Sequence, residues 1–136
     1  MNRESTSKPS PSINDWLKEA KADPAASQVG MFLVHNGVVR ETPKAKVRQG
    51  IDDGSVVNRL EFSYDAEKVE EAVAATYRME GIFYVKTWLN EGILEVGDDI
   101  MYVLIGGDIR PHVVDALQYL VERIKTRCVT EIEQKT

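Results

Sequence analysis

The run Asp108-Ile109-Arg110-Pro111-His112, followed by an apolar-striped segment ending in Lys125-Thr126-Arg127, constrains this chain more than any other stretch. It sets cations at opposite ends of one helix. Proline holds its φ near the helical value and lacks the N–H that a helix start leaves unused, so Pro111 is the expected first helical residue. Arg110 is then the N-cap, its backbone pushed to extended geometry by the proline and its guanidinium beside the free amides of the first turn, where anions are favoured. Val113, Leu117, Leu120, Val121 and Ile124 recur at three- and four-residue spacing and carry the helix to Lys125 or slightly beyond. Fifteen residues separate Arg110 from Lys125, a helical rise of roughly 22 Å. One chain cannot close both on the same small ligand, so a site that uses both needs two copies. In the alternative without such a site, Arg110 solvates a helix start while Lys125 and Arg127 complement the negative helix end.

With 136 residues, 43% apolar and 29% charged, the chain is expected to be one domain with a core that needs no metal or disulfide staple. Its formal charge of −5 argues against general nucleic-acid binding, so any basic site must be local. A single Cys128 excludes an intrachain disulfide, and with only His35 and His112 beside it there is no zinc spacing. No metal and no cofactor are expected. The start, Met1-Asn2-Arg3-Glu4-Ser5, lacks the apolar core of a signal peptide, and no apolar run approaches bilayer length. The expectation is a cytoplasmic protein that does not engage membranes. Residues 1–11, rich in Ser, Pro and charge, read as a disordered tail ahead of a domain over 12–136.

Ser12 or Asn14 caps a short helix that stops before Asp23-Pro24. Residues 28–40 read as a strand bent at His35-Asn36-Gly37, and residues 41–57, with Lys44, Lys46 and Arg48, as a mobile loop. Leu60, Phe62 and Tyr64 alternate with polar neighbours in a half-buried strand. A helix with Val69, Ala72, Val73, Thr76 and Tyr77 on one side follows, ended by Gly81. Residues 82–89 and 99–105 are strands joined through Gly92, Gly97 and Asp98, and the helix after Pro111 comes last. Strands grouped with two main helices indicate an α+β domain.

Four segments, in order and spacing, resemble the large catalytic subunit of molybdopterin synthase. Asn36-Gly37-Val38-Val39-Arg40 is similar to that family's Gly-x-Val-Arg strand end, and Leu60-Glu61-Phe62-Ser63-Tyr64 to its next strand. Glu91-Gly92-Ile93-Leu94-Glu95-Val96-Gly97-Asp98 resembles its Gly-x-Leu-x-Val-Gly-Asp/Glu turn, and Ile109-Arg110 and Lys125-Thr126-Arg127 lie where it has His-Arg and its first active-site lysine. The resemblance covers about residues 28–130. It implies an α/β hammerhead-like domain with a mixed or antiparallel sheet, a homodimer with shared sites, and a small ubiquitin-like sulfur-carrier subunit at each end of a heterotetramer. The implied reaction moves sulfur twice from the carrier's C-terminal thiocarboxylate to cyclic pyranopterin monophosphate, forming molybdopterin. Lys125 is then catalytic, and Arg40 and Arg110 bind substrate anions.

The pattern departs at Ile109, where the family has histidine, and at Ile132, where a second lysine would follow the first by seven residues. Lys135 is the nearby candidate to replace the missing lysine, and His112 and Arg127 are further auxiliary candidates. A non-catalytic homologue, serving as a dimeric module that binds an anion, a pterin or a partner, is the alternative function. His35 has acid–base capacity near neutrality, the basic loop can steer anions, and Cys128 reads as a small buried residue.

Overall fold

The computed structural model describes residues 7–136. Two three-stranded antiparallel sheets share one core. The first has the order β1-β5-β3, built from Met31–Val38, Asp99–Gly107 and Ile82–Leu89; the second has the order β4-β2-β6, built from Gly92–Glu95, Val57–Tyr64 and Val129–Lys135. Both are fully antiparallel, which settles the expectation of a mixed or antiparallel sheet. The architecture is the expected α+β one. No helix of the described residues is long and apolar enough to cross a membrane.

The two main helices, α3 (Ala66–Tyr77) and α4 (Arg110–Arg123), pack on the first sheet, α4 across β5 and β1 and α3 against β3. Of the stripe expected on α3, Val69, Ala72 and Thr76 are buried, Val73 is half-buried and Tyr77 is exposed; of that on α4, Val113, Leu120 and Ile124 are buried and Leu117 and Val121 half-buried, with Ala116 a further buried residue outside the expected set. The buried apolar residues among them meet Phe62, Leu94, Met101, Val103 and Ile105 from both sheets in a single cluster. The opposite face of the first sheet is covered by α1 (Ile13–Ala22), whose Trp16 and Ala20 sit on Leu104, with the Trp16 ring edge-on to Tyr102. Central strand β5 is therefore covered on both faces, which explains its nearly unbroken apolar run.

Three local readings are corrected. The N-cap of α4 is Ile109, at φ −134° and ψ 158°, and Arg110 is the first helical residue. The reason is that the first helical hydrogen bond runs from the Val113 N–H to the Ile109 carbonyl, one residue earlier than the proline rule alone suggests. Within 41–57, Lys44–Gln49 forms a short helix, α2, ended by Gly50 at φ 70°. A six-residue helix, about 1.7 turns, is too short to display a helical period. Residues 129–135, read only as a departure from a lysine motif, form β6, paired along β2 from Tyr64↔Val129 to Val57↔Lys135.

Of the segment expected to be a disordered tail, residues 1–6 lie outside the described residues, while residues 7–11 lie against the sheets. The Lys8 N–H donates to Oδ1 of the buried Asn90, its ammonium donates to the Tyr64 hydroxyl, and Ser10 donates to Asp99. Composition does not reveal such contacts, because they depend on acceptors more than fifty residues away.

Candidate active site

At Arg123 the α-helix widens into a π-helical turn, Ile124–Cys128, that runs directly into β6. The turn is held by the Thr126 hydroxyl donating to the Glu122 carbonyl and by the Asp65 N–H donating to the Cys128 carbonyl. Ile124 and Cys128 point into the core, Thr126 and Arg127 into solvent, and Lys125 lies half-buried between them. π-turns inserted at a helix end reorient a side chain that an α-turn would aim elsewhere. Here the effect is to bring Lys125 over the end of β1.

Lys125 lines a cleft with His35 and Gly37 of β1, Arg40 just beyond it, Lys44 and Arg48 of α2, and Glu131 and Glu133 of β6. The spacing of four places Lys44 and Arg48 on one face of α2, whereas Lys46 points away to Asp52 at 3.2 Å. Strand alternation puts Glu131 and Glu133 on the same side of β6. Glu131 is ion-paired with the Lys44 ammonium, and Glu133 accepts the Lys44 backbone N–H at 3.1 Å. Among the described residues, four cations (Arg40, Lys44, Arg48, Lys125) against two carboxylates leave a net charge of +2 in a chain whose total is −5. The cleft is a local basic site in an acidic chain.

Its titration follows from that crowding. Burial pushes the Lys125 amine below the ordinary lysine range, Glu131 opposes this by favouring the ammonium, and Arg48, Lys44 and Arg40 add to the depression. His35 is held below the ordinary imidazole range, first by burial and then by the Lys125 charge, and so is neutral near pH 7. A lysine lowered in this way keeps more of its free amine at neutral pH, and cations around it fix oxyanions. The cleft encloses about 170 Å³. Pockets that engulf a whole small molecule are typically 300–1,000 Å³, so the cleft of the single chain is smaller than a whole-ligand pocket.

The remaining expected site residues lie elsewhere on the chain. Arg110 is exposed at the far end of α4 and contributes nothing to the cleft lining. The α4 start already has an anion of its own: Asp108 accepts the Ile109 N–H at 2.7 Å and lies 2.7 Å from His112 Nδ1. That contact raises the His112 pKa and lowers that of Asp108. Gly81, at φ 75°, makes room for it, since a Cβ there would overlap the Asp108 carboxylate and the His112 ring. Arg127 faces a separate groove with Arg123 and Thr126. Lys135 sits at the far end of β6, 4.0 Å from Glu133 and outside the cleft lining. Cys128 is buried and its thiol is pushed up by desolvation.

Sequence reasoning missed Glu131 and Glu133. The β-branched residues Val129, Thr130 and Ile132 among alternating polar positions were the available strand signal, and a strand reading would have put both carboxylates on one face.

Two antiparallel three-stranded sheets packed with paired helices, and a lysine and an arginine lining one cationic cleft, define an α+β protein whose cleft suits anionic groups. Residues 10–127 match the model of the MoaE protein family. The chain belongs to that family, and with it to molybdenum cofactor biosynthesis. Among solved structures, a molybdopterin synthase from Staphylococcus aureus is similar at a TM-score of 0.62 and 21% identity, over 79% of this chain and 77% of that one. The molybdopterin biosynthesis MoaE protein of Burkholderia ambifaria is similar at 0.67 and 17%, over 91% and 82%. A protein–protein complex of subunits 1 and 2 of molybdopterin-converting factor from Helicobacter pylori is similar at 0.62 and 16%, over 89% and 77%. At these identities the structural likeness speaks for the fold, and the sequence match carries the family. A search of curated protein sequences found no significant match. The family match ends at residue 127, so Glu131, Glu133 and Lys135 of β6 lie outside it.

Proposed function

We propose that this chain is the catalytic large subunit of a cytoplasmic molybdopterin synthase, transferring sulfur from a thiocarboxylated carrier subunit to cyclic pyranopterin monophosphate. The observation that carries the reading is the convergence of Arg40 and Lys125 in one cleft, with burial depressing the lysine. Arg40 supplies a forked donor for an oxyanion, and Lys125 supplies both a charge and an exchangeable proton. A binding module without chemistry is not favoured, because oxyanion binding alone does not call for a lysine whose charged form is disfavoured. Lys44 and Arg48 complete the cationic wall of the cleft.

Arg110 enters through a second copy of the chain. It stands at the opposite end of α4 from Lys125, and a two-fold dimer can bring one protomer's helix start to its partner's cleft. The direct test is single-turnover conversion of cyclic pyranopterin monophosphate with a thiocarboxylated carrier, detecting the oxidised product by fluorescence. Product formation is expected; binding without product would reduce the chain to a recognition module. The shared site has its own test in co-expressed Lys125→Ala and Arg110→Ala chains. Each variant alone should be inactive, while random pairing restores about a quarter of wild-type activity, from the one intact site of each mixed dimer. No recovery would place Arg110 outside the site.

A further inference from the structure

His35 Nε2 is an anomaly of the cleft: it is shielded from solvent and has no hydrogen-bond partner among the described residues. Buried polar atoms are nearly always paired, because an unpaired one forfeits its hydration without replacement. His35 lies on β1 opposite Val103, on the same face as Leu33, which packs against the main core, and opposite to Phe32 and Val34, which pack under α1. The ring therefore points into the inner corner where β1 meets the π-turn. A Cβ on Gly37 would stand only 3.7 Å from Nε2, so the nitrogen lies along the strand toward the cleft that Gly37 also lines.

Among the groups facing this corner, Arg40, Lys44, Arg48 and Lys125 are donors, whereas Glu131 and Glu133 are acceptors. Lys125 is the charge whose field reaches the imidazole, and both side chains are half-buried in the same corner. Lys44 is engaged by Glu131 and the other two cations are exposed, which leaves the Lys125 amine as the donor suited to the free ring nitrogen.

We infer that His35 is a positioning residue for Lys125, its unprotonated Nε2 accepting a hydrogen bond from the Lys125 amine and aiming that amine into the cleft. The inference rests on the reading of Lys125 as the central group of the site. It adds a neutral acceptor to a set otherwise made of charges. An acceptor favours the ammonium form, so His35 works with Glu131 against the depression caused by burial and by Arg40, Lys44 and Arg48. It also assigns the tautomer: the ring proton is on Nδ1, since Nε2 must present a lone pair.

Two measurements on the folded protein, neither requiring turnover, test this. The imidazole ¹⁵N shifts of His35 in the native chain should identify the Nδ1–H tautomer with Nε2 unprotonated; an Nε2–H tautomer overturns the inference. Competitive acetylation of Lys125 against pH, read by mass spectrometry, should show its midpoint lowered by about half to one pH unit in His35→Leu, a three- to tenfold change in the ionisation constant. His35→Gln, whose amide oxygen accepts a hydrogen bond, should stay near wild type. An unmoved midpoint in His35→Leu, or an equal shift in His35→Gln, would show a packing residue only. Because these readouts do not depend on sulfur transfer, an inactive protein with the expected tautomer and shift would refute the proposed reaction and leave the His35–Lys125 contact standing.

Discussion

Replacing Glu131 with glutamine should separate what the carboxylate does for stability from what it does to the site. Its side chain is 8% exposed and is ion-paired with Lys44, which is 38% exposed. Exposed pairs are worth roughly 0–1 kcal/mol, and a buried pair that loses one partner costs roughly 3–5 kcal/mol. With one member buried and the other open to water, the substitution should cost about 1–2 kcal/mol, or about 3–7 °C in Tm for a chain of this length. Binding should move the other way, because the cleft charge rises from +2 to +3. At a separation of about 7 Å and an effective dielectric of about 20, one unit of charge is worth roughly 2 kcal/mol before screening and about 1 kcal/mol in physiological salt. That is about a fivefold gain in affinity for a phosphate-bearing ligand. Since Glu131 favours the Lys125 ammonium, its loss should also shift the lysine titration, and any rate that depends on the free amine, to lower pH. Calorimetric titration with cyclic pyranopterin monophosphate at low and high salt, beside thermal unfolding, gives both signs. An affinity that is unchanged or weaker, or a gain that persists at high salt, would refute the account of Glu131 as a charge screening the cleft.

Lys125→Ala should unfold within about 1 kcal/mol of wild type, since it removes a half-buried cation rather than core volume, yet abolish single-turnover sulfur transfer; retained turnover would remove Lys125 from the mechanism. Leu120 is fully buried in the shared core, so Leu120→Ala should lose about 3–4 kcal/mol, seen as a lower denaturant midpoint with an unchanged slope. The Asp108–His112 contact should be pH-dependent in both directions. His112, raised by Asp108, contributes stability that is present below its unfolded pKa and lost as pH rises through its folded value. Asp108, lowered by His112, contributes stability that is present above its unfolded pKa and lost as pH falls through its folded value. In Asp108→Asn the His112 proton resonances should titrate at lower pH than in wild type, and an unmoved midpoint would show that the contact does not exist in solution. Light scattering should return twice the 15.3 kDa chain mass, and a strict monomer would contradict the shared site.

The α4 stripe, the alternation in β2 and the turn glycines are properties of neighbouring residues along the chain, and they specified the two main helices, most strands and the α+β class. Proline chemistry and helical rise separated Arg110 from Lys125 without coordinates, because a helix is a ruler with a known step. Resemblance in four ordered segments supplied Arg40 and Lys125 as partners in one site, and the fold brings them to one cleft. Other features had no local signature. The role of α2 depends on β6 passing beside it to hold Lys44, and although Val129, Thr130 and Ile132 carry a short strand signal, the edge that β6 joins is set by β2. The depressed Lys125, the net charge of the cleft and the orphan nitrogen of His35 depend on burial and on charges contributed by β1, α2, the π-turn and β6. Periodicity along a chain records which face of an element is buried. Desolvation and Coulomb interactions act across space between residues up to about ninety positions apart, and only the tertiary structure sets those distances.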